Sequence, residues 1–109
     1  MKKKILLLLT VCLLFSSPVF ALVYTVTTCA SSGVGSLRQA ILDANSNGGK
    51  DTINFDIPTS EATFESGVAF YRIKPLSALP TITEELVIDG TTQPTSEGYD
   101  NPYGPEIEI

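Results

Sequence analysis

The chain has 109 residues but no histidine and only two cysteines. Cys12 lies in an apolar run near the N-terminus, which leaves Cys29 as the single thiol in the rest of the chain. A tetrahedral zinc site needs several cysteine or histidine ligands, and a serine-protease type of triad needs a histidine as its base. One thiol cannot form an intramolecular disulfide. These shortages exclude structural zinc, a histidine-activated nucleophile and a disulfide framework.

Long hydrophobic runs are also missing. The longest, "ILLLLTVCLLF" (5–15), follows three lysines and precedes the small and permissive residues of "SSPVFA" (16–21). This is the order of a secretory signal peptide, with cleavage predicted after Ala21. A membrane-spanning helix needs ~20 apolar residues, so this run is too short to be an anchor. We therefore predict that residues 1–21 are removed and that the protein is secreted, to the extracellular space or the cell surface.

Positive charge is scarce in the chain that remains after cleavage. All 12 acidic residues lie there, against four basic ones, which gives a net charge of −8. Such a surface repels phosphate backbones, and no cluster of basic residues opposes that repulsion. Nucleic-acid binding is therefore disfavoured. An acidic composition is also an ordinary means by which an exported protein stays soluble, and this is the favoured interpretation.

A short amphipathic helix is predicted at "SLRQAILDAN" (36–45), after a strand at 22–28 and a small-residue loop at 29–35. Four apolar residues recur at the spacing of one helix face: Leu37, Ala40, Ile41 and Ala44. Ser36, with Gln39 three residues later, forms a capping box at the helix start. A helix of about ten residues is marginal in isolation. We therefore expect its apolar face to pack against another element.

After the helix the apolar period falls to two, which is typical of strands. Four strands are predicted, at 51–57, 68–74, 81–89 and 106–109. The polar stretch 59–67 between the first two is interpreted as a surface excursion. Most connections are longer than those of ordinary hairpins, and no helical segment separates the strands. This almost regular series favours a β-solenoid over a β-sandwich.

Two stretches, "GSLRQAILDANSNGGKDTINFDIP" (35–58) and "LPTITEELVIDGTTQP" (79–94), resemble the opening segment of secreted right-handed parallel β-helix repeat proteins. These are large bacterial surface or extracellular proteins, many with a Cys-Ser-Leu-Arg-Glu-Ala variant of the opening. The resemblance implies that the helix caps the N-terminal end of the β-helix. Gly35 stands where that variant has cysteine, and Gln39 where it has glutamate. No role is therefore carried over to Cys29.

The predicted fold class is all-β with one short capping helix, the N-terminal cap and first coils of a right-handed parallel β-helix solenoid. Residues 1–21 are the signal peptide, 22–50 the N-terminal strand and capping helix, and 51–109 the first coils. A solenoid needs about three or more repeats and a cap at both ends. We therefore expect the chain to be an incomplete piece of such a solenoid. The strand at 106–109 then offers an open edge for self-association.

The stretch "LDANSNGGKDTINF" (42–55) has alternating oxygen side chains followed by a glycine, as a calcium-binding EF-hand loop does. Counted from Asp43, the twelfth residue is Asn54, which cannot supply the bidentate carboxylate that the loop requires. Lys50, at the eighth position, would place a cation near the metal. The segment that follows alternates like a strand, whereas an EF-hand needs a second helix. Calcium binding is therefore disfavoured.

The favoured interpretation of the same stretch is a joint between helix and strand. Asn45, Asn47 and Gly48 tolerate left-handed backbone geometry and are predicted to end the helix. Asp51 is predicted to form hydrogen bonds in the turn that enters the strand.

Other candidate groups give no catalytic constellation. Glu84 and Glu85 are adjacent, so on a strand they point to opposite faces and cannot act as a pair. Asp89 with Gly90 is interpreted as a turn. Arg72 and Lys74 share one strand face, which is interpreted as an ordinary solvated surface.

Three tyrosines, Tyr71, Tyr99 and Tyr103, are able either to stack on sugars or to pack in turns. We predict no catalytic, cofactor-binding or metal-ligating residue in this chain.

The predicted function is a structural or adhesive role outside the cell, with carbohydrate or cell-surface components as partners. The alternative, which also rests on the resemblance, is the N-terminal piece of a polysaccharide lyase or glycoside hydrolase whose active site lies outside this chain.

Overall fold

The computed structural model describes residues 19–94 and 106–109. Within these residues the chain forms one α-helix and six short strands. Their bounds are β1 Val23–Val26, α1 Leu37–Ser46, β2 Asp51–Phe55, β3 Thr63–Glu65, β4 Val68–Arg72, β5 Leu86–Ile88 and β6 Ile107–Glu108. Two 3-10 helical turns, Thr59–Glu61 and Gly90–Thr92, follow β2 and β5.

The first sheet is parallel, and α1 makes the connection that its pairing requires. Its strand order is β1-β2-β5, with Val23 opposite Thr52 and Ile53 opposite Ile88. Parallel neighbours cannot be joined by a tight hairpin and need a crossover, usually a helix. The helix between β1 and β2 supplies it. The unit β1-α1-β2 is therefore a β-α-β unit with a crossover helix.

The second sheet is mixed. Its strand order is β3-β4-β6, with β3 antiparallel and β6 parallel to β4. The hairpin β3–β4 turns at Ser66 and Gly67, which both have positive φ, 53° and 80°. Two positive φ values in a two-residue loop match the strand twist of a hairpin. The polar segment interpreted as a surface excursion therefore contains a strand of its own.

The predicted solenoid is wrong. The described residues form two separate three-stranded sheets, neither of which closes or winds into stacked coils. An antiparallel hairpin lies in one sheet and a crossover helix serves the other, so the architecture is mixed α/β. The regular spacing misled the prediction in two places. The hairpin strand β3 lies in the stretch read as an excursion, and the strand predicted at 81–89 is reduced to Leu86–Ile88.

One apolar core joins the helix and both sheets. It is formed by Val26, Leu37, Ala40, Ile41, Ile53, Phe55, Ile57, Tyr71, Ile73 and Ile107. The four helix residues predicted to share one face are all buried, which confirms the helical period. Alternation in β2 is also confirmed, since Ile53 and Phe55 are buried and Ile57 continues the series.

The start of α1 forms only half of the predicted capping box. Ser36 Oγ accepts a hydrogen bond from the backbone N–H of Gln39 at 3.1 Å and donates one to the carbonyl of Gly33 at 2.7 Å. The Gln39 side chain does not return to Ser36. It donates instead to the carboxylate of Asp43 at 2.8 Å, while the Ser36 N–H bonds Gly33. Ser36 alone therefore caps the helix.

The residue before the cap has to be glycine. Gly35 has a φ of 79°, in the left-handed region, and a Cβ at this position would collide with Thr27 Oγ1. A cysteine here would need a different backbone path.

We expect Ser36→Ala to lower the free energy of unfolding by about 1–2 kcal/mol, because it removes the N-cap acceptor. The matched control is Gln39→Ala, which removes only a surface contact and should change stability by less than about 0.5 kcal/mol. Urea unfolding of both variants tests this. Equal losses in the two variants would mean that the reciprocal capping box, and not Ser36 alone, stabilises the helix start.

Candidate functional site

The joint between α1 and β2 is built around a fully buried carboxylate. Asp51 has 0% of its surface exposed. Its Oδ1 accepts hydrogen bonds from the backbone N–H of Leu22 and from Asn47 Nδ2, both at 2.8 Å. Its Oδ2 is buried without a hydrogen-bond partner among the described residues. Asp51 therefore ties the chain before β1 to the end of α1, and one of its oxygens is left over.

The helix ends differently from the prediction. Asn47 is the C-cap in an extended conformation, and the left-handed residue is Gly49, with φ of 99°, rather than Gly48. Asn45 lies inside the helix. Its side chain bonds the backbone at Thr81 and does not end the helix. The stretch is a helix–strand joint, as predicted, and Asp51 does bond in the turn.

The surroundings of this joint are polar. In the part of the chain that the structure describes, no cluster of three or more acidic, cysteine or histidine side chains is placed to bind a metal ion. Tyr24 donates its hydroxyl hydrogen to the carbonyl of Asp43 at 3.3 Å. Burial, followed by the charges of Asp51 and Asp43, raises the pKa of Tyr24. The tyrosine therefore keeps its hydroxyl proton at neutral pH.

A second polar cluster surrounds Arg72 and corrects its predicted role as a solvated residue. The Arg72 side chain is only 22% exposed. It bonds Glu65 at 2.7 Å and Glu108 at 3.2 Å, and its guanidinium lies 4.7 Å from the centre of the Phe70 ring. Because Glu65 is in β3 and Glu108 in β6, one arginine in β4 ties the three strands of the second sheet together. Lys74 lies beyond the end of β4 and is exposed.

The ion pairs of Arg72 change the titration of their partners. The hydrogen bond from Arg72, with its charge, lowers the pKa of Glu65. The same bond and that of Glu108 raise the pKa of Arg72. The guanidinium therefore stays charged and paired with the carboxylates of Glu65 and Glu108.

The structure removes one of the three tyrosines predicted as candidates for sugar binding, and the other two lie outside its described residues. Tyr71 is fully buried in the core and cannot offer a ring face to a ligand. Tyr99 and Tyr103 lie outside the described residues.

The thiol of Cys29 is sheltered. The Cys29 N–H donates to Glu61 Oε2 at 2.6 Å, and burial followed by the charge of Glu61 raises the thiol pKa. A raised pKa keeps the thiol protonated and weakly nucleophilic.

The sequence analysis missed two side chains that form hydrogen bonds with the backbone of loops. Arg38 donates to the carbonyls of Ser31, Ser77 and Ala78. Gln93 is buried and exchanges two hydrogen bonds with the backbone of Ile57, at 2.8 and 2.9 Å. Ser77 and Ala78 lie 39 and 40 residues from Arg38, and Ile57 lies 36 from Gln93, so no local pattern could have indicated these contacts.

An exposed acidic strand edge is a candidate surface for binding. β5 pairs with β2 on one side only within the described residues, and Val87 and Ile88 are 38% and 41% exposed. Glu84 and Glu85 precede it, and Asp89 follows it as the N-cap of the next 3-10 turn. Contrary to the prediction, the two glutamates lie before the strand rather than on it.

Comparison with known proteins identifies no relationship: no protein family, no curated protein and no solved structure matches this chain. Among residues 19–94 and 106–109, no helix has the length and apolar character to cross a membrane.

We expect Arg72→Met to weaken the second sheet because it leaves Glu65 and Glu108 without a cation. The lowered pKa of Glu65 means that its stabilising contribution is complete above its ordinary value of 4.5 and is lost as pH falls through the lowered pKa. Loss of stability on acidification from about pH 7 to about pH 3 should therefore be smaller in Arg72→Met than in the unaltered protein.

Urea unfolding across this pH range measures the effect. Lys74→Met removes the same charge from an exposed position and is the control, which should change the pH dependence less, because Lys74 makes the smallest of the contributions that lower the pKa of Glu65. A parallel pH dependence in all three proteins would contradict the assignment of Arg72.

Proposed function

We propose that this protein is exported by its N-terminal signal and has a structural or adhesive role outside the cell. The observation that supports binding is the exposed acidic edge of β5. An edge strand presents unpaired backbone groups to which an extended chain can add. The signal-peptide pattern of residues 1–21 supports export.

The direction of the backbone groups in β5 supports this role. The carbonyl of Glu85 accepts from Asp51 N at 3.2 Å, and Asp89 N donates to the carbonyl of Ile53 at 2.9 Å. Successive amides of a strand point to opposite sides, so the amides of Leu86 and Ile88 point away from β2. No strand of the described residues lies on that side.

A second edge continues this surface. β6 pairs only with β4 within the described residues, and a Cβ built on Gly90, directly after β5 and Asp89, would lie 3.8 Å from Ile107 Cβ. Glu106 and Glu108 add their charges to those of Glu84, Glu85 and Asp89. Two neighbouring strand edges are thus bordered by five acidic side chains.

The charge of this edge favours a basic partner over a second copy of the chain. Glu85 is paired with Lys50 at 3.4 Å and Glu108 with Arg72 at 3.2 Å, which leaves the other three acids without a cation among the described residues. A second copy docked edge to edge would place like charges opposite each other, which is destabilising. We infer that the partner is an extended polypeptide segment with basic side chains, displayed on a cell surface or in its matrix.

We expect Ile88→Lys to weaken binding of a fluorescent peptide of alternating lysine and valine at least about tenfold, because lysine on an edge opposes strand addition. Leu76→Lys is the control, since Leu76 is 90% exposed and lies outside the strands. Fluorescence anisotropy gives the dissociation constants. A peptide of alternating glutamate and valine should not bind.

Equal affinities for the two lysine variants would contradict the assignment of the edge. Sedimentation of the protein without peptide tests whether a second copy of the chain, rather than a basic segment, occupies the edge. A dimer that Ile88→Lys converts to a monomer would mean that a second copy, and not a basic segment, covers β5.

We expect the exported protein to begin at Leu22, because Val19 and Ala21 occupy the positions that signal cleavage requires to be small. Intact-mass measurement of the exported protein tests this. Ala21→Phe should block or displace the cut, whereas Phe20→Leu, at the permissive position between them, should leave it unchanged. An exported protein that retains residues 1–21 would contradict the cleavage site.

A further inference from the structure

Leu22, the first residue after the proposed cleavage point, is the residue whose backbone nitrogen contacts the buried carboxylate. Its N–H donates to Asp51 Oδ1 at 2.8 Å. Asp51 is fully buried, and its Oδ2 has no hydrogen-bond partner among the described residues. The nitrogen that cleavage would set free therefore already lies beside a carboxylate that has an unused oxygen.

We propose that cleavage after Ala21 creates an α-ammonium group at Leu22 that forms an ion pair with Asp51, so that the new N-terminus stabilises the fold. The inference rests on the proposed export with cleavage after Ala21. It assigns Asp51 as the receptor for the new N-terminus.

The chemical step is hydrolysis of one peptide bond by a signal peptidase, with water as the co-reactant. The C–N bond between Ala21 and Leu22 breaks, and the oxygen of water stays with Ala21 as part of its new carboxylate. The nitrogen of Leu22 gains hydrogen from water and from solution to become an ammonium group. No group is oxidised or reduced.

The position of Leu22 does not depend on the residues before it. Its carbonyl accepts a hydrogen bond from Thr52 N at 2.9 Å, and Val23 then pairs with Thr52 in the first sheet. The new ammonium is thus held beside Asp51 by strand pairing. It has three donors in place of one, enough to reach both Oδ1 and the unpartnered Oδ2.

The uncleaved chain provides no cation for this carboxylate in the described residues. Its two donors, the Leu22 amide and the Asn47 side chain, are neutral, and Lys50 pairs with Glu85 instead. The other titratable groups facing the joint, Tyr24 and Asp43, are neutral or negative. Breaking or lacking one partner of a buried charge is strongly destabilising, so an added cation has a large effect.

Cleavage also removes the contacts that Val19 and Phe20 make with the helix–strand joint. A test of the ion pair has to allow for their loss. Asn47 Nδ2 donates to the carbonyl of Phe20 at 2.8 Å, and Val19 lies against Gly48 and Gly49. Those contacts are absent from any chain that begins at or after Ala21. The control for the ion pair must therefore be a mature chain whose charge is displaced, rather than the uncleaved protein.

The test compares the exported protein with a variant in which one glutamine is inserted between Ala21 and Leu22. The inserted residue is too large for the position before the cut, so the variant should begin with glutamine. Its Leu22 keeps an amide N–H to Asp51, but the ammonium moves by about 3.5 Å. We expect the glutamine variant to unfold about 4–8 °C lower at neutral pH.

Asp51→Asn in both backgrounds separates the ion pair from other effects of the insertion. We expect the difference in midpoint to disappear when Asp51 is replaced. An α-amino group ordinarily has a pKa of about 7.7–8.0, and a neighbouring carboxylate raises it. The stabilisation is therefore complete below that range and is lost as pH rises through the raised pKa, so the two midpoints should converge in alkali.

The outcomes distinguish the ion pair from the cleavage on which it rests. A mass that places the N-terminus elsewhere than Leu22 would overturn the cleavage site. A correct N-terminus with no difference between the proteins, or with a difference that persists in alkali, would overturn the ion pair alone. If Asp51→Asn does not fold, the pH dependence of the glutamine variant decides by itself.

Discussion

The structure depends on one packing constraint, the burial of the apolar face of a ten-residue helix against two parallel strands. Such a helix is marginal alone, and parallel strands cannot pair without a crossover. Each element therefore supplies what the other lacks. Leu37 and Ile41 pack with Val26 and Ile53 in the same core, and each fully buried large aliphatic side chain contributes about 1.5–3 kcal/mol.

Polar side chains then fix the parts that this core does not reach. The side chains of Arg38 and Asn45 extend from the helix and donate hydrogen bonds to backbone carbonyls in the segment before β5. Gln93 pairs with the backbone of Ile57 as another strand would. Short strands with long connections need such contacts, because few ladder hydrogen bonds are available to order the loops. The second sheet has the same arrangement in Arg72, which connects three strands that are five residues long or shorter.

Charge is distributed unevenly over this framework, and the distribution connects the fold to the proposed function. The positive groups Arg38 and Arg72 are used internally, on carbonyls and on carboxylates. Glu84, Asp89 and Glu106, which have no ion pair among the described residues, border the open edges of β5 and β6. Asp51 is the exception, because it is buried and has only neutral donors. Acidic side chains therefore border the open edges at the surface and, at one buried point, hold the backbone of Leu22.

Local pattern in the sequence determined the helix, its buried face, its Ser36 cap and the strands at β1, β2 and β4, since each depends on residues within a few positions of one another. The fold class was not determined in this way. Strand spacing predicted stacked coils, whereas pairing across the sheets decides that β1, β2 and β5 form one sheet and that a hairpin enters the other. The roles of Arg72, Tyr71 and Asp51 also depended on distant partners. Glu108 is 36 residues from Arg72 in sequence, and Leu22 is 29 from Asp51. Only the tertiary structure brings such residues together, because long-range contacts follow from how the core closes and leave no periodic trace along the chain.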